Sequence, residues 1–426
     1  MNVRHIIQKS MLVALTALAF SSCDMMTEDL DDCPTGLYVN FVYDYNIQRA
    51  DMFKDHVGGL TLYVYDESDR LVATRTMDEG QLSKYGSYIH FSEEELAPDH
   101  SYRLMAVGFQ RSVLSNVGAK YRITGDNAGS QWSQFFIDLD HQPVTRSNTL
   151  NLSSDIETHP YYYVDNVEPL DTLWHTLTTI TTPAETFPKQ LHPQMLTPAQ
   201  TEYTWQRDGS IKTNGQEKVT IVKGEPAYAT VSMIRDTNHL NVTLRALNDD
   251  PADNQVIDTD YTVEIYDNNS QLDCHNNLTH PEDTLLYRPY RQWTTTFVGN
   301  DHISYESAAH YDLMFNRLIY KNANVDGDQY AVLSLEDIAK SRNAVLVIRK
   351  KDTGEIIFGL NLPYILASGR TWVERNYHYQ EYLDREYDYR LQFILRGARI
   401  DEIQLFLGTH VHIIPWAMRT QNESFK

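Results

Sequence analysis

A chain of 426 residues with 36 Lys+Arg against 58 Asp+Glu carries a formal net charge of -22, which repels phosphate backbones and excludes nucleic acid as a partner. The length implies two domains or three, and a hydrophobic fraction of 42% is that of a globular chain. Three Cys cannot build a disulfide framework, and no Cys-x-x-Cys or Cys/His spacing for zinc is present, so neither metal nor cofactor is expected.

The chain opens with Arg4, His5 and Lys9, followed by an apolar run from Met11 to Phe20. That run is too short to span a bilayer and reads as an export signal, residues 1–22. Ser21 and Ser22 directly before Cys23 resemble the lipobox of bacterial lipoproteins, with Phe20 where Leu is usual. Cys23 then becomes the acylated first residue, and two or three acyl chains at about 0.8 kcal/mol per buried CH₂ give near-permanent attachment. An ordinary cleaved signal with an incidental Cys is the plainer alternative. Residues 23–33 are an acidic tether, with five acids and no base from Asp24 to Asp32, read either as solvated spacer or as a surface-sorting signal.

After Cys33-Pro34 the apolar pattern becomes period two, with Leu37, Val39, Phe41 and Tyr43 on one face of a strand. Leu60–Val64 and Tyr102–Val107 follow. Later runs are Ala227–Ile234, Leu240–Leu244, Tyr261–Tyr266, Val345–Ile348, Tyr389–Leu395 and His410–Trp416. Short helices are expected at Ser92–Leu96 and Ser334–Ala339, where Ser followed three residues later by Glu95 or Asp337 makes a capping box. Leu62-x-Val64-Tyr65-Asp66 before Leu71 is echoed by Val263-x-Ile265-Tyr266-Asp267 before Leu272, which predicts two β-hairpins and two domains on one plan. The fold class is all-β, two antiparallel β-sandwiches with few short helices, the first over 34–155 and the second over 156–426. Thr172–Thr182 is Thr-rich, and Pro183, Pro188, Pro193 and Pro198 recur every five residues. An insertion is expected around 172–200, since Pro cannot sit in a central strand.

Catalytic motifs are absent: no Gly-x-Ser-x-Gly, Walker loop, His-Glu-x-x-His or Gly-x-Gly-x-x-Gly occurs. No catalytic residue is assigned. His410 and His412 share a strand face but lack a third ligand, so a plain strand is expected. Asn324–Asp328 lacks the Glu that closes a calcium loop and reads as a turn. Whether Cys33 pairs with Cys274 stays open. Asp171-Thr172-Leu173 and Asp283-Thr284-Leu285 each match a three-residue O-glycosylation sequon.

Several segments resemble the FimB-like fimbrial anchor lipoproteins, minor subunits of type V pili. They are Cys33-Pro34-x-Gly36-Leu37-x-Val39-x-Phe41, Leu173-Trp174-His175, Arg235-Asp236-Thr237-Asn238, Tyr266-Asp267-Asn268-Asn269 and Gln380-Glu381-Tyr382-Leu383-Asp384-Arg385. The likeness runs from Cys23 almost to the end, with Thr176 where Gly often follows the His and His412-Ile413-Ile414-Pro415-Trp416 departing from the usual last strand. The resemblance implies transthyretin-like sandwiches in tandem, attachment of the fibre base to the outer membrane, and a major pilin as partner, joined by strand exchange. The expectation for this chain is that the first strand of Leu37, Val39, Phe41 and Tyr43 fills its own domain's groove and is retained, with Arg49 uncut. Val411, Ile413, Ile414 and Trp416 are the candidate donor strand. A pilus tip adhesin, a surface glycan-binding lipoprotein using Tyr161-Tyr162-Tyr163, and a surface hydrolase are the competing readings.

Overall fold

The computed structural model describes residues 34–84, 88–110, 121–124, 130–143, 161–164, 168–182, 204–205, 211–212, 218–279, 284–298, 305–321, 332–334, 337–338, 341–370, 377–397, 399–407 and 410–415. The strands of its first part are β1 (Gly36–Val42), β2 (Gly59–Tyr65), β3 (Leu71–Asp78), β4 (Tyr88–Phe91), β5 (His100–Phe109), β6 (Tyr121–Thr124), β7 (Phe136–Leu139), β8 (Gln142–Pro143), β9 (Tyr161–Tyr163), β10 (Leu173–Thr181), β11 (Thr204–Trp205), β12 (Ile211–Lys212), β13 (Val219–Ile221) and β14 (Pro226–Arg235). Then come β15 (Asn238–Ala246), β16 (Tyr261–Asp267), β17 (Gln271–Asp273), β18 (Thr284–Tyr287), β19 (Arg291–Val298), β20 (Tyr305–Phe315), β21 (Val345–Lys350), β22 (Ile356–Asn361), β23 (Asp388–Arg396), β24 (Arg399–Leu407) and β25 (His410–Pro415). Helices are short: α1 (Phe53–His56), α2 (Glu79–Lys84), α3 (Leu362–Ser368) and α4 (Tyr379–Arg385). The chain is all-β in two sandwich bodies.

The first body is one sheet in the order β3-β2-β5-β10-β14-β1-β4, with β13 also paired to β5. Its alternating apolar residues make a single core: Leu37, Val39 and Phe41 of β1, Leu60, Leu62 and Val64 of β2, Leu104 of β5 and Val231 of β14 are all buried together. The sheet therefore curls until its two halves face each other. Its ends come close enough for Arg75 of β3 to donate through Nη1 to the His90 carbonyl of β4 at 3.2 Å. The second body stacks β19-β20-β15-β23-β24-β25 against β22-β21-β16-β18-β9-β8. Leu240, Val242 and Leu313 from one sheet meet Val263, Ile265 and Leu346 from the other.

Both bodies repeat one plan, but not through the hairpins that the sequence echo predicts. β2 and β3 do form an antiparallel hairpin, and Asp66 Oδ1 closes its turn on the N–H groups of Ser68 and Arg70 at 2.8 and 3.0 Å. β17 instead leaves β16 and pairs with β7. The buried Asn269 pulls that turn away, donating to the carbonyls of Asn316 and Arg317 at 3.1 Å each. The shared plan lies in the opening strands. β1 is parallel to β14 and antiparallel to β4, and β15 is parallel to β23 and antiparallel to β20.

Strand pairing also departs from the boundary placed between 155 and 156. Residues 144–160 lie outside those described, but β10, β13 and β14 belong to the same sheet as β1, so the first sheet runs on to Arg235. Thr172–Thr182 is accordingly no loop: most of it is β10, central between β5 and β14. β-Branched Thr suits a pleated strand, and two of the segment's hydroxyls find partners: the Ala106 N–H donates to Thr176 Oγ1 at 2.7 Å, and Thr182 bonds Thr230 at 2.8 Å. The Pro-bearing remainder, 183–203, lies outside the described residues.

His239 ties three strands of the second body. From β15 it bonds Asp388 of β23 through Nδ1 at 2.8 Å and approaches Asp312 of β20 through Nε2 at 3.5 Å. Burial disfavours its charged form, but the two carboxylates outweigh that and raise its pKa from 6.5 to about 9. A raised basic pKa contributes stability that is complete below about pH 6.5 and lost as pH rises through about 9. Thermal denaturation should therefore show the wild-type midpoint falling across that window more steeply than the midpoint of His239→Gln. Equal slopes would refute the assignment.

Candidate functional site, the junction behind the first strand

The four residues expected on the retained strand are where alternation put them. Leu37, Val39, Phe41 and Tyr43 are 0, 0, 2 and 1% exposed. β1 pairs along all seven residues with β14 and along four with β4, so it is an interior strand. Burying four such side chains contributes roughly 1.5–3 kcal/mol each before ordering costs. The Gly of Cys33-Pro34-x-Gly36 has a physical reason: Gly36 sits at φ +81°, and a Cβ there would lie 2.2 Å from the Phe91 carbonyl oxygen.

Beyond β1 the chain does not surface at once. Tyr43 through Asn46 stay buried. Ser232 Oγ donates to Asp44 Oδ1 at 3.0 Å, and burial pushes the Asp44 carboxyl up to about 6. Tyr45 lies under the Arg385 guanidinium of α4, 3.9 Å from the ring centroid. The Ile47 N–H donates to the Arg385 carbonyl at 3.0 Å. Arg49 reaches the same region of the second body: its Nε donates to the Tyr377 hydroxyl at 2.7 Å. The backbone of Arg49 is left-handed, at φ 54°.

A buried polar network continues from this exit. His175 of β10 shares a 2.7 Å hydrogen bond with Asp236, and both side chains are almost wholly enclosed, at 1 and 0% exposure. Asn276 Nδ2 donates to the other oxygen of Asp236 at 2.9 Å. Arg317 donates to the Asn276 carbonyl and forks onto Asp384 of α4 at 2.7 and 2.8 Å. Gln380 Nε2 donates to Asp384 Oδ1 at 2.9 Å. Burial pulls the Arg317 guanidinium down, but the Asp384 carboxylate outweighs it and holds the group above its ordinary value. Trp174, fully buried, meets Tyr43 edge-on at 5.9 Å between ring centroids, and the Arg235 guanidinium lies 5.6 Å from its ring centroid and 3.9 Å from that of Tyr387. The network thus gathers Leu173–His175, Arg235–Asn238, Asn269 and Gln380–Arg385, segments far apart in sequence, around the end of β1.

Chemically this is a clasp. The His175–Asp236 pair has neither solvent access nor a hydroxyl or thiol acting on it, and among the described residues no group of three His, Cys, Asp or Glu could hold a metal ion. Cys23, Cys33, Trp416 and Asn324–Asp328 lie outside the described residues. Tyr161–Tyr163 form β9, parallel to β18. Cys274 is buried in the second core, where burial pushes its thiol up to about 12. Thr172 of the first sequon is 2% exposed and donates to Gln110 Oε1 at 2.9 Å, which leaves no room for a sugar in the folded chain.

Removing one partner of a buried ion pair costs about 3–5 kcal/mol, whereas replacing both by apolar side chains is close to neutral. Asp384→Leu should therefore lower the urea-unfolding free energy by about that amount, and adding Arg317→Met should restore most of it. A single change costing under about 1 kcal/mol would show that the pair does not hold the junction.

A family model described as fimbrillin-A associated anchor proteins Mfa1 and Mfa2 matches residues 30–191 and 213–422. Among solved structures, a proposed adhesin from Bacteroides thetaiotaomicron is 20% identical at TM-score 0.58, covering 88% of this chain and 97% of that one. A proposed polysaccharide-binding protein from the same species is 21% identical at TM-score 0.55, covering 90% and 99%. A proposed adhesin from Bacteroides ovatus is 21% identical at TM-score 0.55, covering 89% and 96%. At such identities the likeness is one of fold. A search of curated proteins finds no match. Since the family model covers most of the chain, including β1 and β25, this protein belongs to the fimbrillin-A associated anchor proteins Mfa1 and Mfa2.

Proposed function

We propose that the chain is the subunit at the base of a fimbria, held in the outer membrane by acyl chains on Cys23, and that it ends fibre growth because its first strand never leaves. The observation that carries this reading is the double locking of β1: seven pairs to β14 and four to β4, then an exit clamped through Asp44, Tyr45 and Ile47. A groove already filled by its own strand accepts no donor from a neighbour. Arg49, the basic residue at which a cut would free the body from its lipid, has a left-handed backbone and a side chain engaged by Tyr377, a poor fit to the extended form in which proteases bind substrates.

The fibre is joined through β25, lent to the neighbouring pilin. Support for this comes from its place: a six-residue edge strand with one partner, β24, among the described residues. Moving it to another sheet exchanges one set of main-chain hydrogen bonds for an equivalent set and adds side-chain pockets.

Peptide mapping of the protein recovered with fibres should find an N-terminus at acylated Cys23; an N-terminus at Ala50 would end the retention argument. Deleting residues 410–426 should shed fibres into the medium while the protein itself stays with the membrane. Fibres that stay on the cell would remove β25 from the role.

A further inference from the structure

The sheet edges are guarded unequally. β3 is covered where the Leu71 N–H donates to the Ser130 carbonyl, and Arg75 reaches from it across to β4. β22 is covered by the bridge of Val332 to Leu360 and by the Leu333 N–H on the Gly359 carbonyl. β17 is covered by the bridge of Leu272 to Leu278. β19 is different. Its eight residues pair with β20 in unbroken register, without a bulge, Pro or Lys, and among the described residues nothing pairs with its other side. Such an edge templates another strand. Phe297 and Val298 are 53 and 54% exposed.

The strand is also symmetric. Trp293-Thr294-Thr295-Thr296-Phe297 places an aromatic ring two residues on either side of Thr295. We infer that β19 is a self-association edge, and that its occupant is β19 of a second copy, antiparallel, about a two-fold axis through Thr295. In that register each Trp293 faces Phe297 of the other copy, and each Thr294 faces Thr296, an isologous contact of cross-strand aromatic pairs. Trp293 is already fixed for it, stacked on His310 at 5.0 Å with the Arg291 guanidinium 4.6 Å from its ring centroid. Charge agrees with this choice. Arg291 is the one charge on the strand, and the acids near it are engaged: Asp258 by Thr294, Glu306 by Arg245, Asp312 by Asn241. Two copies of a chain whose net charge is -22 repel at a distance, so the contact strengthens as salt screens them.

The test is Thr295→Cys in the full-length protein on intact cells. Residues opposed across antiparallel strands lie about 4.5–5.5 Å apart between Cα atoms, within disulfide reach. Mild oxidation should give a reducible dimer whose yield rises with salt, at least tenfold above that of Thr74→Cys on exposed β3. Adding Phe297→Lys should cut the yield tenfold or more. Equal yields from the two cysteine positions, in proteins whose thermal transitions match wild type, would overturn the proposal. So would a yield indifferent to Phe297→Lys.

Discussion

The Arg317–Asp384 pair holds two opposite charges where water cannot reach, and that arrangement survives only if neither partner moves. Asp384 belongs to α4, and so does Arg385, whose guanidinium covers Tyr45 just past β1. Arg317 in turn bonds the carbonyl of Asn276, the residue that holds Asp236 for His175. One desolvated charge pair in the second body therefore fixes the orientation of the side chains that close over the first strand. The two sandwiches share an apolar seam, in which Tyr65, Met105, Val107, Phe109 and Leu173 of the first sheet are buried in one cluster with the second core, and the oriented polar contacts are added to it. Apolar surfaces slide past one another at little cost, whereas a bidentate fork has a single good geometry.

Much of the fold was legible because it rests on alternation. Leu37, Val39, Phe41 and Tyr43 follow period two and are all buried, although Asn40 and Val42 on the opposite face are buried too. β10 was misread for an instructive reason. Its Thr residues and the prolines that follow look like a linker, yet Thr176 inside the central strand accepts from a backbone N–H, and Thr182 just past its end bonds Thr230. Whether a polar side chain finds a buried partner depends on residues distant in sequence, and no local pattern carries that information. The second hairpin failed the same way: Val263–Asp267 copies Leu62–Asp66 in sequence, but the partners of Asn269 at Asn316 and Arg317 redirect the chain.

The junction was legible only as words, not as a site. Leu173–His175, Arg235–Asn238 and Gln380–Arg385 stand out in the sequence only as segments that resemble a family. Their convergence was not visible, because it needs the order of strands across the sheet. An Asp-Thr-Asn run between two buried strands was the available signal, since acids and amides in such a place must be satisfied by something.

The direction of β1 has a mechanical consequence. β1 runs parallel to β14 and antiparallel to β4, with ladders on both sides. A tug on the Gly36 end along the strand axis loads those ladders in shear, so many hydrogen bonds bear it at once and no single bond can be unzipped first. Tension that did reach the far end of the strand would arrive at Tyr45 and Ile47, and pass through Arg385 into the other sandwich.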